Sequence, residues 1–62
     1  MSNREKWAEL ERKCQAFAQE FLENAAWAER AALHETARQW RQDAQKIRGI
    51  AKAYAQAAQE AQ

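Results

Sequence analysis

The chain has 62 residues, a single cysteine, one glycine, no proline and a formal charge of +1. That length holds one domain and no deep cleft, a lone thiol excludes an internal disulfide, and the near-neutral total excludes bulk attraction to nucleic acid or anionic lipid. The composition is rich in Ala, Glu, Gln and Arg, and its only β-branched residues are Thr36, Ile47 and Ile50. This is an all-α composition. No apolar run approaches the ~18–20 residues of a membrane span, and Met1 to Glu5 open no signal-peptide core. A soluble, cytoplasmic protein with no membrane contact is expected. A core this small supplies only ~3–5 kcal/mol, so association with a second copy is the expected supplement.

In chain order, Ser2 with Glu5 three residues later forms a capping box, in which the hydroxyl accepts from an early amide and the carboxylate reaches back. A first helix is expected from there, over about residues 3 to 32. Its stripe runs Trp7, Leu10, Cys14, Phe17 and Phe21 at spacings of three and four, with Ala18 and Leu22 widening it. In the same register Asn24, Ala28 and Ala31 carry the stripe onward with smaller side chains.

A second stripe begins out of phase with the first: Leu33, Ala37, Trp40, Ala44, Ile47, Ala51, Tyr54, Ala58 and Ala61, spaced four and three without a slip. Sustained over four heptads, that period is the seam of a helix that packs on another. A break must separate the two stripes. Thr36 with Gln39 reads as a second capping box, which places a turn at about residues 33 to 36 and a second helix at about 36 to 60. Pivoting near His34 sets Trp7 opposite Ala61, Leu10 opposite Ala58, Cys14 opposite Tyr54, Phe17 opposite Ala51, Phe21 opposite Ile47 and Ala28 opposite Trp40. Nearly every layer then pairs a large group with a small one, as void-free packing requires. A reversal at Asn24, which tolerates the left-handed conformation, pairs Leu10 with Trp40 and Phe17 with Leu33 but strands Ile47 and Tyr54. One bent, continuous helix pairing between chains is the third arrangement. The preferred reading is one domain spanning residues 1–62, an antiparallel two-helix hairpin that homodimerises into a four-helix bundle. Its hairpin and dimer core is Trp7, Leu10, Phe17, Phe21, Leu33, Trp40, Ile47 and Tyr54.

Two surface features stand out. Arg38, Arg41, Gln45, Arg48 and Lys52 recur at three and four and line one helical face over ~21 Å. Only Arg38 has an acid at helical spacing, Glu35, while Glu11 of the first helix is placed to approach Arg48. Such a strip suits phosphates or an acidic protein surface, or is simply solvated. Trp27, with Leu22 and Ala26, lies off the first stripe and reads either as an anchor for a foreign protein or as part of the homodimer interface.

His34 and Cys14 are single and far apart, so no metal site is expected, and no nucleophile motif, phosphate loop or cofactor signature is present. Gly49 sits on the outward side of the second helix, either as tolerated weakness or as room for a partner. The reading is a non-enzymatic regulator or inhibitor of the kind phages and plasmids carry, with no small-molecule substrate. It engages a protein through Leu22, Trp27 and the strip. The alternatives are an RNA-binding bundle that uses the strip, and a purely structural or designed bundle.

Overall fold

A computed structural model describes residues 2–61. Two helices, α1 (Asn3–Arg30) and α2 (His34–Glu60), fold back on each other as an antiparallel hairpin. The start of α1 follows from its cap: Ser2 is extended, and its Oγ accepts from the Glu5 amide at 3.2 Å. Glu5 in the first turn and Arg30 in the last both complement the helix dipole.

The reversal occupies Ala31, Ala32 and Leu33, earlier than residues 33 to 36. The Leu33 amide donates to the Ala28 carbonyl at 2.8 Å and the Ala32 amide donates to Glu29 at 3.0 Å, the paired bonds of a Schellman cap. Ala32 takes the left-handed conformation, φ 62°, a position that glycine fills at no steric cost. Leu33 is the N-cap of α2 and gives no side-chain cap hydrogen bond. Thr36 lies inside its first turn, so the expected Thr36–Gln39 capping box does not form the boundary. Asn24 is an interior residue of α1.

An earlier turn changes the register, because each residue by which the pivot moves slides the antiparallel pairing by two. Trp7 meets Tyr54 with ring centroids 5.7 Å apart, where Ala61 was expected, and Phe21 meets Trp40 at 5.1 Å, where Ile47 was expected. The pairing has slipped by one heptad. Large groups therefore face large ones, and small face small: the fully buried residues are Ala18, Ala25 and Ala28 from α1 and Ala37, Ala44 and Ala51 from α2. Ala25, Ala28 and Ala37 form one cluster with Trp40 packed against it. Alanine at the closest approach lets the backbones near each other, which pushes the larger side chains to the edge of the seam.

The expected core consequently changes in kind. Phe21, Trp40, Ile47 and Tyr54 are half-buried, whereas Trp7, Leu10, Phe17 and Leu33 are exposed, Phe17 by 52 %. No large side chain is fully buried among the described residues. Each buried methyl contributes only about 0.8 kcal/mol. The accessible surface is 4739 Å², against about 4,100 Å² for a compact monomer of this mass. With Cα extents of 48 × 16 × 9 Å, the hairpin is a slab two helices wide and one helix thick.

Candidate interaction surfaces

Each buried alanine of α2 is followed three residues later by Trp40, Ile47 or Tyr54, and four residues later by Arg41, Arg48 or Ala55. On a helix these two columns flank the alanines on opposite sides. The same holds for α1, where Phe21 follows Ala18 by three and Leu22 by four. One side of the hairpin is thus largely apolar, interrupted by Asn24 in the Leu10–Phe17 column and by the half-buried Asp43 in the Ile50 column, and the other is polar.

On the apolar side, the contacts of Trp7 with Tyr54 and of Phe21 with Trp40 bring the two ring columns together. Cys14 is half-buried in the α1 column, and Ile47 is half-buried in the α2 column. Three residues beyond the ring columns lie Leu10 and Phe17 on α1 and Ile50 on α2, all exposed. Trp27, 57 % exposed, stands three residues past Asn24 in the Leu10–Phe17 column and so at the rim of this same face. Leu22 is half-buried and sits five residues before Trp27, a rotation of about 140°. The two do not form the single patch expected of them; Leu22 belongs to the polar side.

The polar side carries the basic strip. Arg38 pairs with Glu35 at 3.7 Å, as its spacing allows. Arg41 reaches across to Oε1 of Glu29 at 3.3 Å, while Oε2 of the same carboxylate meets Nδ1 of His34 at 3.2 Å. Glu29 thereby joins the last turn of α1 to the first turns of α2. The hydrogen bond from His34 is the main cause that holds its carboxyl below the usual carboxylate range; desolvation opposes it, and the Arg41 hydrogen bond and the charges of His34 and Arg41 add to the lowering. At the open end the Arg4 Nε donates to the Ala58 carbonyl at 3.2 Å.

Farther along the strip Gln45, Arg48 and Lys52 are exposed, and neither Arg48 nor Lys52 has an ion pair among the described residues. Arg48 and Lys52 line an open groove of about 580 Å³ between the helices, together with Glu11, Gln15, Gly49 and Ala55. Glu11 thus approaches Arg48 as its position suggested, without pairing. A Cβ at Gly49 would meet nothing within 4 Å, so no packing within the hairpin requires glycine there. Trp27 and the strip stand on opposite sides, and the partner surface expected to combine them is two surfaces.

The Glu29 clamp was not anticipated, since Glu29 and Arg41 lie twelve residues apart and meet only once the turn is placed. Among the described residues no cluster of His, Cys, Asp and Glu is arranged to hold a metal ion, and no helix is long and apolar enough to cross a membrane. The hairpin thus presents one largely apolar side and one basic side. No family model matches the chain, and no curated protein and no solved structure is found similar to it.

Proposed function

We propose that the chain is a small non-enzymatic binding protein, a regulator or inhibitor that works as a helical-hairpin homodimer and engages an acidic protein surface through Arg48, Lys52 and their groove. The observation that carries this reading is the division of the hairpin: the groove and its two unpaired cations lie on the side away from the apolar face. Dimerisation through the apolar face, a four-helix bundle, leaves both basic sides outward and open to solvent. Trp27, at the rim of the apolar face, goes with the dimer rather than with the foreign partner.

The outward direction of the two strips favours a protein over RNA, because one nucleic-acid duplex cannot lie against both at once. The test is affinity capture by the wild-type chain and by the Arg48→Glu/Lys52→Glu variant at rising salt. Loss of one captured protein in the variant, with moderate salt sensitivity, supports the reading. Capture of RNA with a steep salt slope supports the nucleic-acid alternative instead, and identical behaviour of both chains leaves a purely structural bundle.

A further inference from the structure

The apolar face carries a pattern that sets how a second copy lies on it, an inference that rests on the dimer proposed above. Two layers of the face are bulky, Trp7 with Tyr54 and Phe21 with Trp40. The same register puts slim layers after each of them, Cys14 across from Ile47 and Ala28 across from Leu33. From the open end to the turn the face therefore reads bulky, slim, bulky, slim.

We propose that a second copy of this chain covers the face in antiparallel orientation, the turn of one hairpin beside the termini of the other, about a dyad that crosses α1 next to Phe17. Only that orientation seats each bulky layer on a slim one, since reversing the order of the four layers exchanges the two kinds. A parallel copy stacks Trp7 and Tyr54 on their own counterparts and opens a void at Ala28, which close packing disfavours. The face measures 48 × 16 Å between Cα extremes, enough for the ~800 Å² per partner that a stable interface buries.

Two further features fit the antiparallel copy. The dyad brings Phe17, 52 % exposed in the hairpin, onto its own counterpart, which explains a phenyl ring left in the open; on α2 it brings the half-buried Asp43 toward its own counterpart, a like-charge approach at the edge of the interface that the apolar contacts must outweigh. Along the rim, Lys13 of one copy falls opposite Glu20 of the other, and Lys6 falls opposite Trp27, a cation over an indole face. Trp27 thus gains cover that the hairpin alone does not give it.

The experiment is electron–electron distance measurement between nitroxides in the full chain. On a Cys14→Ala background, one label is carried at the exposed position of Ala16→Cys or of Arg30→Cys, with sedimentation mass measured on the same samples. The antiparallel dimer gives about 20–25 Å at position 16, beside the dyad, and about 40 Å at position 30, from 1.5 Å of rise per residue. A dimer with equal, short distances at both positions overturns the orientation and leaves the dimer standing. A monomeric mass overturns both.

Discussion

Trp7 stacks on Tyr54 across the open end of the hairpin, ring centroids 5.7 Å apart and planes inclined by 28°. This contact reports the register that the turn imposes, because it joins residues near the two ends of the described chain. Aromatic pairs of this kind contribute about 0.5–1.5 kcal/mol beyond burial. The double-mutant cycle of Trp7→Ala and Tyr54→Ala, followed by urea unfolding, is expected to give a coupling in that range. A coupling of zero, with Trp7 and Ala61 coupled instead, would restore the register of the later turn.

Ala32 holds a left-handed φ of 62° in the Schellman cap. For a residue with a Cβ that conformation costs roughly 1 kcal/mol. Ala32→Gly is expected to raise stability by up to about that amount, with the oligomeric mass unchanged. Destabilisation on this substitution would mean that the chain reverses elsewhere.

Gly49 is the converse case. It lies within α2, and the space around its Cα is open. Gly49→Ala should stabilise the helix by up to about 1 kcal/mol. If it also abolishes capture of the partner, the partner's backbone approaches at Gly49 itself.

Glu29 supplies a pH dependence whose sign follows from its lowered carboxyl. Its stabilising contacts with His34 and Arg41 are fully present above the ordinary value of 4.5 and are lost as pH falls through the lower folded value. The clamp is solvent-exposed, so its effect is small. Acid titration monitored by circular dichroism should show a shallower loss of stability below pH 4.5 in Glu29→Gln than in the wild type. Parallel curves would remove Glu29 from the cause.

The hairpin, its Ser2 cap and the alanine column of α2 were legible in the sequence, because a regular spacing with alternating size survives any choice of partner. The inward face of α1 was not. Its large residues, Trp7, Leu10 and Phe17, lie exposed on the apolar side of the hairpin, whereas the face nearest α2 is set by Ala18 and Ala25. Hydropathy marks the first direction and backbone approach the second, and in a two-helix slab they differ by a column. The position of the turn is hidden in the sequence for a related reason. Thr36 offered a familiar cap, while the residue that makes the reversal, Ala32, has no local preference for it. Of the basic strip, the pairing of Arg38 with Glu35 could be read locally. That of Arg41 with Glu29 needed the fold.

Whether the apolar face joins two copies is decided by sedimentation equilibrium. The wild type is expected at twice the chain mass of 7.2 kDa. Phe17→Arg, which sets two like charges at the dyad, is expected at the single-chain mass with most of its helix lost or reduced. A wild type that sediments as a single chain at high concentration, or a Phe17→Arg variant that stays dimeric, would contradict that interface.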